Sequence, residues 1–222
     1  MLASALKVEV APPIALSGAA GDLDLVDPTL ILWRRPERCA LRPLLRYYER
    51  AEAAGNIDSA LVSMAGEIGQ GRIAHLLPPA PKRFAAARSA FAEELRRLIR
   101  LFAAVADTMA VRVKLEVERE DRCRYFHTDR VGLRLLCTYL GPGTEWVPDE
   151  FADRSALCSG DNAAIVPELR QLRRLAPFWV GLFKGDLDRD CSGRGCVHRS
   201  PPIARKRNAA RILLTIDNRD ED

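Results

Sequence analysis

The chain has 222 residues, of which 48% are hydrophobic and 29% are charged, a composition typical of a globular protein with a sizeable core. Its 34 basic and 30 acidic residues leave a net charge of only +4, which argues against nucleic acid as a partner. No apolar run reaches the roughly 18 residues needed to span a bilayer, and Lys7 and Glu9 interrupt the start of the chain, unlike a secretory signal. We therefore expect a cytoplasmic protein that does not bind a membrane.

The first half of the chain is predicted to be mostly helical. PLLRYYERAEAAG begins at Pro43, a favourable first helical position, and ends at Gly55. Residues 56–59 supply cap residues for a second helix, ALVSMAGEIGQG, and a third helix runs from about 82 to 107. The third helix carries an apolar stripe at steps of three and four, consisting of Phe84, Ala87, Phe91, Leu95, Leu98, Phe102 and Val105. We interpret these helices as a scaffold.

Beyond Met109 the hydrophobic period changes to two. Apolar residues from Val111 to Val117 alternate with charged ones, which predicts a half-buried strand. Further strand-like segments are RCRYFHT, LRLLCTYLG, QLRRLAPFWVGLFKG and ARILLTID. Short strands without long helices between them favour an antiparallel barrel or sandwich, although residues 165–175 could hold one short helix. We expect a single domain over 1–222, mostly helical to about 108 and a β-barrel from about 109 to 222.

Two of the three histidines lie in settings that suit a metal ligand. His127 and Asp129 are two positions apart at a predicted strand end, so their side chains point to one side of an extended backbone. His198 follows a glycine-containing loop and begins a segment that prolines end. A small barrel brings distant strand ends together, so the three side chains could share one ion. His75, in GRIAHLLPP, is interpreted as structural or merely exposed.

Two histidines and one carboxylate, with other coordination positions open, form the ligand set of non-haem Fe(II) oxygenases. The same set can also hold Zn²⁺ with a bound water molecule. Residues flanking this site could contact a co-substrate, namely Arg124, Tyr125, Arg134 and Tyr139. Trp146 could form a wall of the pocket or belong to the core.

A rival metal site includes cysteines. Cys191 and Cys196 lie close to His198, and two thiolates with an imidazole would suit Zn²⁺, with Cys158 as a possible fourth ligand. This arrangement would take His198 away from the first site. In a cytoplasmic protein the six cysteines are otherwise expected to be reduced thiols.

The run CRYFHTDRVGLRLLCTYLGPGTEWVPD, followed by GLFKGD, VHRSPP and RILLTID, resembles the uncharacterised bacterial family called domain of unknown function 1826. More distantly, it is similar to 2-oxoglutarate and Fe(II)-dependent dioxygenases. This resemblance implies an α+β protein: a double-stranded β-helix, a jelly-roll or cupin-like barrel, with an N-terminal helical layer packed on it. It implies His127, Asp129 and His198 as iron ligands.

The same resemblance implies a basic residue on the last strand that binds the far carboxylate of 2-oxoglutarate. Arg211 opens RILLTID and is preferred over Arg205 and Arg207, which lie in a loop-like stretch, because a strand fixes the guanidinium with less loss of entropy. Arg134 and Tyr139 are further candidates for contacting this co-substrate.

The resulting hypothesis is an Fe(II)- and 2-oxoglutarate-dependent oxygenase that acts on a small molecule or another, unidentified substrate. The alternative is a non-catalytic zinc-binding protein in metal homeostasis, a context that the family resemblance also implies. The sequence indicates neither the substrate nor the oligomeric state.

Overall fold

The computed structural model describes residues 23–52, 58–64, 73, 76–108, 110–186, 194–203 and 210–218. The strands in these ranges are β1 (Leu23–Asp27), β2 (Leu30–Trp33), β3 (Asp58–Met64), β4 (Ala110–Glu118), β5 (Leu133–Leu140), β6 (Glu145–Trp146), β7 (Arg173–Arg174), β8 (Val180–Lys184), β9 (His198–Arg199) and β10 (Arg211–Asn218). The α-helices are α1 (Arg42–Glu52), α2 (Ala85–Val105) and α3 (Asn162–Ile165). Short 3₁₀ helices span Cys39–Leu41, Lys82–Phe84, Asp149–Phe151, Arg154–Ala156 and Leu169–Gln171.

The strands form two antiparallel sheets. The larger sheet has the order β1-β2-β8-β5-β10-β4-β3, and the smaller has the order β7-β6-β9. Every pairing between these strands is antiparallel. The chain is therefore an α+β protein with antiparallel sheets, which confirms the coarse fold class.

The main core lies between the helices and one face of the larger sheet. Phe91, Leu95 and Phe102 of α2 are completely buried and belong to the same apolar cluster as Val113 of β4 and Leu214 of β10. Burial of each such side chain contributes roughly 1.5–3 kcal/mol, so the predicted apolar stripe anchors the helix to the sheet. Within the described ranges, no helix is long and apolar enough to cross a membrane.

The opposite face of the larger sheet is directed towards the smaller sheet. In β10, Ile212, Leu214 and Ile216 join the helix-side core, whereas Leu213 belongs to a second apolar cluster with Trp146 of β6. Because side chains alternate along a strand, Arg211 and Asp217 share the face of Leu213. The strand therefore presents two charged residues to the space between the sheets.

Two sequence-based assignments are corrected. ALVSMAGEIGQG is predicted to be helical, but its first residues lie in β3, which pairs with β4. A short apolar segment has no decisive period of its own, so pairing with a strand edge determines its conformation. RCRYFHT is predicted to be a strand, but only His127 forms a bridge, and Cys123 has a φ of 49°, which no β-strand residue adopts.

Gly141 turns the chain after β5, and its substitution by alanine should destabilise the protein by about 2–3 kcal/mol. Its φ is 84°, and an added Cβ would lie 2.3 Å from the backbone oxygen of Ala210. Gly160 is a matched control, because its φ is 72° but an added Cβ would meet nothing within 4 Å. Gly160→Ala should therefore cost only about 1 kcal/mol in urea unfolding. Equal losses for the two variants would contradict the role of close packing at Gly141.

Candidate metal centre

Backbone pairing brings two distant histidines side by side. The amide of His127 donates to the carbonyl of His198 at 3.0 Å, and the amide of His198 donates back to the carbonyl of His127 at 3.0 Å. The centroids of the two imidazole rings are 4.6 Å apart. Since His198 also opens β9, which pairs with β6, the smaller sheet holds both rings at its edge.

Asp129 completes the cluster. Its Oδ1 lies 3.6 Å from Nε2 of His127, and its Oδ2 lies 3.1 Å from Nε2 of His198. One ligand atom from each of the three residues lies within 4.8 Å of the others. Within the part of the chain that the structure describes, this group is the one cluster of three or more potential ligands from His, Cys, Asp and Glu. The structure thus brings together the three residues that the sequence singles out.

The hydrogen bonds of the imidazoles select one tautomer. Nδ1 of His127 is 2.9 Å from the carbonyl oxygen of Tyr125, and Nδ1 of His198 is 2.9 Å from that of Cys196. A carbonyl oxygen only accepts, so both Nδ1 atoms carry the proton and donate. Neutral rings in this state offer the lone pair of Nε2 to a metal ion, and the backbone carbonyls fix their orientation.

The protonation states also suit a metal site. Burial tends to raise the pKa of Asp129, but the combined effect of His198, His127 and Arg134 holds it well below its usual range. Burial tends to lower the pKa of His127, yet hydrogen bonding to Asp129 and its charge raise it. Asp129 is therefore an ionised carboxylate at neutral pH, and a metal ion competes with a proton for His127, so metal binding weakens as the pH falls.

Arg134 of β5 links the candidate ligand Asp129 to the sheet. Its Nη1 donates to Oδ1 of Asp129, and its Nε and Nη2 donate to the two carboxylate oxygens of Asp217 at 2.5 and 3.0 Å. Asp217 lies opposite Arg134 in the β10–β5 register. Arg134 is proposed from the sequence to contact a co-substrate, but its donors are already engaged by these two carboxylates. Its observed position is that of a residue orienting Asp129.

Replacing Arg134 with glutamine should weaken metal binding about 10- to 100-fold while leaving the protein folded, because Asp129 loses the guanidinium that orients it. Arg130, one residue after Asp129, is exposed and provides a matched control. Metal titrations of Arg134→Gln and Arg130→Gln should therefore differ by at least tenfold. Equal affinities in the two variants would show that Arg134 does not support the site.

Arg211 lies on the same face of the larger sheet as Arg134. Its side chain is 1% exposed, its Nε is 3.0 Å from Oε2 of Glu118, and its Nη2 donates to the hydroxyl of Thr144 at 3.3 Å. Nη1 has no hydrogen-bond partner in the described part of the chain. The buried guanidinium therefore retains donors for an anionic ligand. Arg205 and Arg207, the alternatives from the sequence, lie outside the described residues, as does His75.

Tyr139 is not part of this face. Its ring makes edge contacts with Phe91 of α2 at 4.8 Å and with Phe178 at 5.2 Å, so it belongs to the helix-side core. Alternation along β5 explains this, because positions 134 and 139 point to opposite faces. The structure therefore contradicts the assignment of Tyr139 as a co-substrate contact. Trp146 is buried in the apolar cluster between the sheets.

Among the described residues, the cysteines do not form a cluster of potential zinc ligands. Cys158 is disulfide-bonded, so its sulfur is not a thiolate, and the expectation that all six cysteines are reduced is wrong for this residue. Cys196 is completely buried in the apolar cluster between the sheets, and burial raises the pKa of its thiol well above the usual value. Cys191 lies outside the described residues.

Three residues near the site were not singled out from the sequence. Asp217 pairs with Arg134, and Glu118 and Thr144 contact Arg211. Strand alternation alone places Asp217 on the face of Arg211, and it places Glu118 on the polar face of β4. The sequence carries no signal for the contact of Thr144, because it depends on the turn between β5 and β6.

The chain belongs to the family described as "Protein of unknown function (DUF1826)", whose model matches residues 27–217. No curated protein matches this chain significantly. Among solved structures it is similar to a dioxygenase for auxin oxidation from rice, with 14% identity over 82% of this chain and 67% of that one and a TM-score of 0.44.

It is also similar to a prolyl-4-hydroxylase from Pseudomonas putida, with 13% identity over 82% of both chains and a TM-score of 0.36. A further match is dioxygenase for auxin oxidation 1 from Arabidopsis thaliana in complex with 2-oxoglutarate, with 12% identity over 92% of this chain and 68% of that one and a TM-score of 0.38. At these identities and TM-scores, the matches do not assign a function to this chain. A function must therefore be inferred from its own residues.

Proposed function

We propose that this protein is a non-haem Fe(II)- and 2-oxoglutarate-dependent oxygenase. The observation that carries the proposal is that two imidazoles, each fixed by a backbone carbonyl at Nδ1, direct Nε2 to one ionised carboxylate. His127, Asp129 and His198 would hold the ion from one side and leave other coordination positions open, as in 2-His-1-carboxylate sites. The bound iron would supply the reaction with O₂, and oxidative decarboxylation of 2-oxoglutarate would supply the electrons.

The strand order supports a double-stranded β-helix as the architecture around this site. β4, β10, β5 and β8 are consecutive in the larger sheet, and β7, β6 and β9 form the smaller one. The His127–His198 bridge adds a fourth element to the smaller sheet. Two antiparallel sheets of this kind, facing each other across a filled interior, are typical of jelly-roll proteins.

Other residues of the chain would bind the co-substrate, exclude water and admit the substrate. Arg211 would bind the distal carboxylate of 2-oxoglutarate through Nη1, and the hydroxyl of Thr144 would orient the guanidinium. The apolar cluster between the sheets would exclude water, since the ring of its Phe183 lies 5.0 Å from that of His198. A cleft of about 290 Å³, lined by His127 and by Tyr125 and Arg130 among others, would admit a small-molecule substrate.

The test is anaerobic purification followed by metal analysis and by measurement of succinate formed from 2-oxoglutarate with Fe(II) and O₂. We expect slow succinate formation without added substrate, and its loss in His127→Ala and in Asp129→Ala. Thr128→Ala, between these two ligands in the sequence, should retain it. Stoichiometric zinc without any binding of 2-oxoglutarate would overturn the proposal. Nothing in the geometry of the described residues favours the alternative, a non-catalytic zinc-binding protein.

A further inference from the structure

Arg211 has a buried acidic partner where a binding site for a carboxylate would be expected to be purely basic. Glu118 is directly opposite Arg211 in the β4–β10 register. The two side chains are 8% and 1% exposed, and Oε2 of Glu118 is 3.0 Å from Nε of Arg211. The ion pair is therefore built into adjacent strands and is screened from water.

The pair leaves much of the guanidinium without hydrogen bonds. A guanidinium has five N–H donors, and one contact, to the hydroxyl of Thr144, has the geometry of a hydrogen bond. The Nε–Glu118 approach does not, and Nη1 has no partner in the described part of the chain. Buried donors are almost always satisfied in proteins. The unsatisfied Nη1 therefore points to an acceptor that the described part of the chain does not supply.

An incoming carboxylate at Nη1 would create a charge imbalance. Arg211 would then face two carboxylates in a buried site, and Glu118 already neutralises it. Among the residues that the structure describes, the other charged or titratable groups acting on this pair are Glu116, Arg122 and Cys123. Glu116 and Arg122 form an ion pair with each other at 3.5 Å, so they contribute no spare positive charge. Loss of one negative charge from the pair itself would restore the balance.

Glu118 is the group suited to that change. Burial raises the pKa of Glu118, while Arg211 opposes the rise. A second carboxylate beside it would raise this pKa further, because like charges disfavour each other's ionisation. A protonated Glu118 can remain next to Arg211 without neutralising it. The positive charge of the guanidinium is then available to pair with the carboxylate of the ligand.

We propose that Glu118 controls the affinity of the Arg211 site for carboxylates: it neutralises the guanidinium in the unliganded protein and takes up one proton from solvent when the distal carboxylate of 2-oxoglutarate binds. This inference rests on the proposed function of the site. It assigns to Glu118 a role in co-substrate binding that is separate from metal coordination.

The experiment measures 2-oxoglutarate binding to the Mn²⁺-loaded protein by calorimetry between pH 6.5 and 8.5. For the wild type, the Kd should rise about tenfold for each pH unit above the pKa of Glu118, because each binding event consumes one proton. Glu118→Gln keeps the shape and can accept from Arg211. This variant should bind more tightly at pH 8 by at least about tenfold, with a Kd that no longer depends on pH. Glu168→Gln, the same exchange at an exposed carboxylate that pairs with Arg170, is the matched control and should behave as the wild type.

A second measurement needs no variant. Binding heats of the wild type in two buffers with different ionisation enthalpies should show the uptake of about one proton per 2-oxoglutarate. A pH-independent Kd without proton uptake would overturn the role of Glu118 while leaving 2-oxoglutarate as the ligand. Weaker binding by a folded Glu118→Gln would also overturn it. Absence of 2-oxoglutarate binding by the wild type and by Glu118→Gln alike would overturn both this role and the proposed function.

Discussion

Replacing Asp129 with alanine should lower the affinity for Fe(II) by more than about 100-fold, which exceeds the effect expected for any residue outside the ligand set. The substitution removes the one anionic ligand between Nε2 of His127 and Nε2 of His198. It also removes one of the two carboxylates that pair with Arg134, so that Asp217 remains its one acidic partner among the described residues. Equilibrium dialysis with metal analysis, and the absorption spectrum of Co²⁺ as a probe, would measure the loss.

The control for this variant is Glu168→Ala. It removes an exposed carboxylate that pairs with Arg170, and it should leave metal binding unchanged. Wild-type binding should also weaken below neutral pH, because protons compete with the metal ion for His127, whose pKa Asp129 raises against the effect of burial. Loss of the metal from Cys196→Ser, together with its retention by Asp129→Ala, would show that the metal does not bind at Asp129.

Replacing Arg211 with methionine should destabilise the protein by about 3–5 kcal/mol, because the carboxylate of Glu118 would stay buried without its ionic partner. Urea unfolding would measure this change. For a chain of this size, a loss of that magnitude lowers Tm by roughly 10 °C. The same substitution should abolish binding of 2-oxoglutarate, since it removes the unsatisfied donors of Nη1.

A double variant separates these two effects. Arg211→Met combined with Glu118→Leu replaces the buried ion pair by apolar groups, an exchange that is often neutral for stability. We expect recovery of most of the lost free energy of unfolding without recovery of 2-oxoglutarate binding. A stable single variant would show that the pair does not behave as a buried ion pair. Binding of 2-oxoglutarate by the double variant would place the carboxylate elsewhere.

Strong periodicity identified the elements with large apolar faces. The alternation from Val111 to Val117 predicted β4, RILLTID predicted β10, and the stripe along the third predicted helix corresponds to α2. Period two and period 3.6 are unambiguous over such lengths. The segment of β3 is too short for a decisive period, and its conformation depends on the exposed edge of β4.

The candidate ligands were recognisable because their residue types are scarce and chemically specific. The chain has only three histidines, and the His-x-Asp spacing places two potential ligands on one side of an extended backbone. The proposed strand before His127 was wrong, yet the pairing of His127 with His198 produces the same convergence. Strand alternation places Tyr139 and Arg134 on opposite faces of β5, so the prediction that both contact the co-substrate was wrong for Tyr139.

The sequence by itself determined the antiparallel β character of the second half, the apolar stripe of α2 and the choice of His127, Asp129 and His198 as candidate ligands. These follow from local periodicity and from the chemistry of single side chains. Tertiary structure alone decided that Arg134 is engaged by Asp129 and that Glu118 faces the buried Arg211. Register between strands creates both contacts, and register depends on hydrogen bonds between segments that are distant in the chain, which no local pattern records.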